Sequence, residues 1–200
     1  MNLDLNQLVK WRREFHRFPE IGWSEFWTTS RIADYLEDLD CFEIFLGKQI
    51  INPDFVRGRK QAVVDKGLAN AKAYGANEKW LEKMEGYTGC VALFDSGKPG
   101  KTIALRFDID CVNVTETRSP EHIPNKEGFA SINDGFMHAC GHDSHITIGL
   151  GVALWIAQNK DKLTGKVKIV FQPAEEGVRG AAAIAQSGII DDADYFASSH

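Results

Sequence analysis

Apolar residues recur at helical spacing from the start of the chain. Leu3, Leu5, Leu8, Val9, Trp11 and Phe15 predict a helix over residues 3–16, which Pro19 stops. Phe26, Trp27, Ile32, Ala33, Leu36 and Leu39 predict a second helix, with Ser24 as its N-cap. Phe42 to Leu46 reads as a short strand. Thr88 to Phe94 and Thr102 to Phe107 are two more, and the turn formers Asp95 to Gly100 between them predict a hairpin. A helix apolar nearly all round follows from Ser144 to about Asn159, capped by Asp143, with Gly149 and Gly151 placed for close packing on a sheet. A strand over Val167–Phe171, a small-residue helix over Gly180–Gln186 and a strand over Tyr195–Ser199 complete the order. Alternating strands and helices predict an α/β fold: a mixed, mostly parallel sheet with helices on both faces.

Residues 49–86 break the pattern. They are more polar, and Val63, Leu68 and Ala71, then Trp80, Leu81 and Met84, predict two short amphipathic helices inserted between strands. The segment reads either as solvated decoration or as a flap over a pocket or a partner surface.

Composition narrows the partners. Hydrophobic residues make up 44% and charged residues 26%, and the formal charge is −5. That balance, with no run of Lys and Arg, argues against nucleic acid. No apolar run approaches the roughly 20 residues that cross a bilayer, so no membrane partner is expected. The N-terminus lacks a basic and apolar leader pattern. Cys41, Cys90, Cys111 and Cys140 are scattered without a CxxC pair, which reads as reduced thiols in a cytoplasmic protein.

The candidate chemistry centres on Met137-His138-Ala139-Cys140-Gly141-His142-Asp143. Two histidines, a thiol and a carboxylate in so short a stretch are the donors that bind transition metals. If Gly141 lies in an extended loop, Cys140 and His142 point the same way and can face one ion. The plainer reading makes His138 and His142 helix caps and Cys140 a small core residue. Asp108 and Asp110, Glu175 and Glu176, and His200 each fall just past a predicted strand's carboxyl end, where open α/β sheets build their sites. In Gln172-Pro173-Ala174-Glu175-Glu176-Gly177, one carboxylate can bind a metal while the other reaches a water acidified by it. That second carboxylate can take the water's proton and later deliver it to a leaving amine, as amide hydrolysis requires. His16, in the His16-Arg17-Phe18-Pro19-Glu20 turn, either holds that turn, its commoner use, or reaches a site. His122 sits in a loop and is expected to face solvent.

These segments, with Leu105-Arg106-Phe107-Asp108-Ile109-Asp110, resemble the M20 metallopeptidase family. The resemblance is to its amidohydrolase branch, which hydrolyses hippurate and indole-acetyl-amino acids. The 49–86 insertion and the Trp11-Arg12-Arg13 opening resemble the subgroup acting on p-aminobenzoyl-glutamate. The resemblance implies a small-molecule N-acyl amino acid as substrate, with hippurate or another N-acyl amino acid as the alternative to p-aminobenzoyl-glutamate. It implies two divalent ions, manganese or zinc, with Cys140, His142, Glu176 and His200 as metal ligands and Glu175 as general base and acid. Asp108, Asp110 and His138 are candidates for the edge or outer shell of that site, and His145 for a cap or outer-shell role. It further implies a dimer, or a hetero-oligomer with a related subunit. Family members are about twice this length. They insert a lid or dimerisation domain after the strand ending near His200 and supply a further metal-binding His beyond it. Residues 1–200 therefore correspond to the N-terminal part of the catalytic domain. Alone they are expected to bind metal weakly, hydrolyse little and expose an apolar sheet edge. An inactive metal-binding or subunit-interaction remnant is the alternative from another class.

Overall fold

The computed structural model describes residues 4–198 and residue 200. Leu3 and Ser199, assigned above to a helix and a strand, lie outside the described residues. Helix α1 (Leu5–Arg17) and helix α2 (Phe26–Asp38) open the chain, followed by strand β1 (Glu43–Leu46). Helices α3 (Gln61–Ala73) and α4 (Glu78–Lys83) come next, then strands β2 (Cys90–Asp95) and β3 (Thr102–Asp108). A short helix α5 (Ile123–Lys126), the long helix α6 (His142–Asn159), strand β4 (Lys166–Gln172), helix α7 (Ala181–Ala185) and strand β5 (Tyr195–Ser198) complete it.

The sheet has the order β1-β2-β4-β3-β5. It is mixed, as expected, but its pairings divide evenly: β3 runs parallel to β4 and β5, while β2 runs antiparallel to β1 and β4. The expected β2–β3 hairpin does not form, because β4 lies between those strands. The connector bonds instead to the chain entering β4, with Ser96 N–H donating to the Gly165 carbonyl and Gly165 N–H to that of Lys98. Turn formers suit such a crossing as well as they suit a hairpin, so local sequence cannot separate the two.

Helices cover both faces. On one, Trp11, Phe15, Phe26, Trp27, Ile32 and Leu36 from α1 and α2 join Ile146, Leu150 and Ile156 of α6 against Ala92, Ile169 and Phe171 of the sheet. Each Leu, Ile or Phe among them removed from water stabilises the fold by about 1.5–3 kcal/mol. On the other face, Trp23, Ile50 and Ile51 pack with Val91, Val170 and the α7 residues Ala183 and Ile184. Gly149 gives α6 its close approach to the sheet, since a Cβ there would lie 2.6 Å from the Phe171 ring and 2.9 Å from the Phe107 ring. Gly151 faces Leu8 of α1 rather than the sheet.

Two helix starts differ from expectation. Ser24 does not cap α2; its hydroxyl donates to the Ile21 carbonyl. The buried Glu20 carboxylate caps the helix instead, accepting from Trp27 N at 3.1 Å and Thr28 N at 2.8 Å. Helix α6 begins at His142, and Asp143 sits inside its first turn. The 49–86 segment is not a solvated decoration, because Val64, Ala71, Trp80, Leu81 and Met84 belong to the main core. Helix α3 also walls a cavity of about 540 Å³, opposite Ile132, Asn133 and Phe136. At the sheet's edge, Tyr195 and Phe196 of β5 are 61% and 53% exposed, the apolar edge the sequence predicts.

Candidate metal centre

Because β3, β4 and β5 are parallel, their carboxyl ends lie side by side. The register pairs Asp108 with Gln172 and Arg106 with Ser198, so Asp110, Glu175, Glu176 and His200 emerge along one edge. The first turn of α6 delivers His142 to the same place. Ligand atoms of Asp108, His142, Glu175 and His200 all lie within 4.8 Å of one another, a grouping able to hold a metal ion.

His142 is fully buried, and its Nδ1 lies 2.7 Å from the Asp110 carbonyl oxygen. A carbonyl only accepts, so Nδ1 carries the proton and Nε2 presents its lone pair. That Nε2 faces His200 Nε2 at 3.2 Å. Two nitrogens bound to one tetrahedral ion at about 2.05 Å would stand about 3.3 Å apart. Glu175 Oε2 lies 3.6 Å from His200 Nε2 and 3.9 Å from His142 Nε2, and Glu176 Oε1 lies 3.9 Å from His142 Nε2. Glu176 Oε1 is buried without a hydrogen-bond partner among the described residues. A buried carboxylate oxygen left so, beside an imidazole lone pair, fits a cation between them. Burial alone would lower the His142 pKa, but the Asp110 bond and the charges of Asp108 and Asp110 outweigh it and raise it.

Asp108 and Asp110 both come to this edge, Asp108 within the four-residue group itself. Asp110 is fully buried and accepts the Glu175 amide at 2.9 Å on Oδ1 and the Glu176 amide at 3.1 Å on Oδ2. Asp108 meets His145 Nδ1 through Oδ1 and Arg106 through Oδ2 at 2.9 Å. Arg106 in turn donates to Gln172. His145 is thereby an outer partner of the site rather than a cap.

Cys140 and His142 do not share an extended loop. Gly141 has φ +85° and His142 is already helical. Cys140 is exposed and outside the tight four-residue group. Its thiol meets the Glu176 carboxylate, and that bond, with burial and the nearby acidic charges, pushes its pKa up to about 11. His138 is no cap: its side chain is buried, neither ring nitrogen has a hydrogen-bond partner among the described residues, and burial pushes its pKa down to about 4.

Behind the site runs a second network that the sequence reading did not assemble. His16 bonds Asp143 at 2.8 Å through Nδ1 and Glu116 at 3.0 Å through Nε2. Arg12 reaches Asp143 at 3.0 Å, and His122 reaches Glu116 at 2.7 Å. His16 thus reaches the residue beside His142, and the His122 ring is hydrogen-bonded to Glu116 rather than turned to solvent. Burial works against the charges of both acids. Their bonds to His16, with others, still hold the pKa values of Asp143 and Glu116 below the usual carboxylate range.

Residues 104–200 match Peptidase family M20/M25/M40. The indole-3-acetyl-aspartic acid hydrolase of Enterobacter agglomerans is 44% identical over 98% of this chain and 45% of its own length. A p-aminobenzoyl-glutamate hydrolase subunit from Escherichia coli (strain K12) is 41% identical over 97% of this chain and 45% of its own. The crystal structure of the aminobenzoyl-glutamate utilization protein from Klebsiella pneumoniae superposes with a TM-score of 0.78 at 36% identity, covering 98% of this chain and 43% of that one. Residues 104–200 belong to the M20 peptidase family. A Bacillus subtilis structure described as a dinuclear metal binding peptidase of the M20 family superposes with a TM-score of 0.71 at 28% identity, over 98% of this chain and 42% of its own. The chain spans about half the length of the curated M20 relatives it matches. Among the described residues no helix is long and apolar enough to cross a membrane.

Proposed function

We propose that the full-length protein is a metal-dependent amidohydrolase that cleaves an aromatic acyl group from an acidic amino acid, with p-aminobenzoyl-glutamate as the leading substrate. The observation that carries this reading is the pair of adjacent carboxylates, Glu175 and Glu176, held within 3.9 Å of the His142 lone pair. The names of both relatives describe an aromatic acyl group amide-linked to Glu or Asp. Indole-3-acetyl-aspartate is therefore the competing substrate, favoured by the 44% identity.

Residues 1–200 supply the N-terminal part of the catalytic domain in this reading. Cys140, His142, Glu176 and His200 hold two divalent ions, manganese or zinc. When bound, these ions polarise the scissile carbonyl and acidify the attacking water. Glu175 does the proton work. Its side chain is 26% exposed, open to substrate, and accepts no hydrogen bond that would compete for its lone pairs among the described residues. It takes the water's proton and hands it to the departing amine nitrogen, leaving a free carboxylic acid and a free amino acid. Asp110 holds the loop that carries Glu175 and fixes the His142 tautomer through its own carbonyl.

The protein works in the cytoplasm in this account, consistent with four free cysteines. By analogy with the Escherichia coli relative, whose name describes one component of a larger hydrolase, it assembles with a related subunit. The test is a panel of p-aminobenzoyl-glutamate, indole-3-acetyl-aspartate, hippurate and an N-acetyl amino acid, following release of the amino acid. Selective turnover of the first supports the proposal. No turnover of any, with manganese or zinc present, overturns it.

A further inference from the structure

Glu25 takes no part in the chemistry above, yet it is fully buried. It stands immediately before α2, and its carboxylate is shared between two distant segments. Oε1 accepts the Ala174 amide at 2.7 Å, and Oε2 accepts the Thr88 hydroxyl at 2.6 Å. Asp110 takes the next two amides of the same loop, those of Glu175 and Glu176. Consecutive amides from 174 to 176 therefore end on buried carboxylates that arrive from different elements.

Successive amides point to opposite sides of an extended chain, so this convergence needs a turn. Ala174 supplies it with φ +49°, in the left-handed region that a non-glycine residue rarely adopts. Its carbonyl is pinned as well, by Arg179 N at 3.2 Å and Gly180 N at 2.8 Å. The surroundings leave little slack. A Cβ on Gly89, next to Thr88, would lie 2.5 Å from the Pro173 ring, and one on Gly180 would lie 1.8 Å from the Pro173 carbonyl oxygen. The outcome is visible at the site. In an extended strand neighbouring side chains diverge, whereas here the carboxylates of Glu175 and Glu176 both come within 3.9 Å of His142 Nε2.

We infer that Glu25 is a positioning residue for the Glu175–Glu176 pair. By holding the Ala174 amide it fixes the left-handed turn that aims both carboxylates at His142. The inference rests on the roles proposed above for Glu175 and Glu176. Glu25 needs its shape more than its charge. Burial and the charge of Asp110 push its pKa up to about 8, against the bonds from Thr88 and Ala174. A hydroxyl both donates and accepts, so Thr88 can serve the charged or the neutral carboxyl. A glutamine side chain could therefore take over both contacts.

The test compares the full-length wild type with Glu25→Gln, Glu25→Asp, Glu25→Ala and Thr88→Val. Hydrogen exchange of the segment 172–180 is read without added metal, alongside kcat and KM on the best substrate of the panel. Glu25→Ala is expected to speed exchange of that segment and to lower kcat by about 10- to 100-fold, with KM little changed. Glu25→Gln should stay within about threefold of wild type in both, because the acceptor for Ala174 remains. Glu25→Asp, whose carboxylate is drawn back by one methylene, should fall between them, and it keeps the test decisive if the alanine variant does not fold. Thr88→Val removes the other contact of the same carboxylate, and should lower the melting temperature while sparing segment exchange and kcat. Wild-type exchange and kcat in both the Asp and Ala variants would overturn the inference. So would a loss in Thr88→Val equal to that in Glu25→Ala, since the contact would then be a general support of the fold. If the wild type hydrolyses nothing, the proposed activity fails, while the exchange comparison still decides the role of Glu25 in the loop.

Discussion

Asp110→Asn probes the clamp on the loop that carries Glu175 and Glu176 with almost no change of shape. Asp110 is fully buried, and its oxygens accept the Glu175 and Glu176 amides at 2.9 and 3.1 Å. The substitution turns one oxygen into an NH2 group facing an N–H. One hydrogen bond to a charged acceptor is lost, a contribution of about 1.5–3 kcal/mol, and the orphaned buried donor costs about 1–3 kcal/mol more. Some of this is recovered because the Asp110 charge, which helps push up the pKa of Glu25, disappears. The net expectation is a loss of about 2–4 kcal/mol. With a urea slope of about 1–3 kcal/mol/M, the unfolding midpoint of the transition containing these residues falls by about 0.7 M or more. The bond from His142 Nδ1 goes to the Asp110 backbone carbonyl, so the His142 tautomer, read from its ring nitrogen shifts, stays as in the wild type. A midpoint within about 0.2 M of wild type would refute the clamp, because a shift that small is well under one hydrogen bond.

His16 and Gly149 give two further tests. The His16 pKa is raised from 6.5: burial opposes the charge, but the bonds to Asp143 and Glu116 outweigh it. A raised histidine contributes stability that is fully present below its unfolded value and fades as pH rises through the folded one. The stability gap between wild type and His16→Gln should therefore be wider at about pH 6 than at about pH 9, and a gap that does not change with pH contradicts the assignment. Gly149→Ala forces a methyl against the Phe171 and Phe107 rings. The expected overpacking penalty of about 1–3 kcal/mol should appear as a lower melting temperature, and an unchanged one would mean that α6 can lift off the sheet freely.

Much of the site was legible in the sequence because its residues sit where a parallel sheet must deliver them. Asp108, Asp110, Glu175, Glu176 and His200 each follow an apolar run, and the alternation of strands and helices makes those run ends neighbours. Strand order was not legible. The stretch Asp95 to Gly100 is equally suited to a hairpin and to a connector crossing the start of β4, and only the long-range pairing of β4 decides. The buried carboxylates Glu20, Glu25 and Glu116 were missed for a related reason. An acid near a helix start or in a polar loop looks like a solvated residue until the tertiary partner of its oxygens is known. The 49–86 segment misled through its average, since its buried face needs only Val64, Ala71, Trp80, Leu81 and Met84 among many charges.

The measurement that bears most directly on the account is Glu175→Gln in the full-length protein, with bound metal determined by elemental analysis and amide hydrolysis followed on p-aminobenzoyl-glutamate. The account predicts wild-type metal content, because it assigns the metal to Cys140, His142, Glu176 and His200, and turnover reduced by about 10²- to 10⁴-fold, the span of general acid–base catalysis. Turnover within about tenfold of wild type would contradict Glu175 as the proton carrier, and loss of the metal would instead make it a ligand.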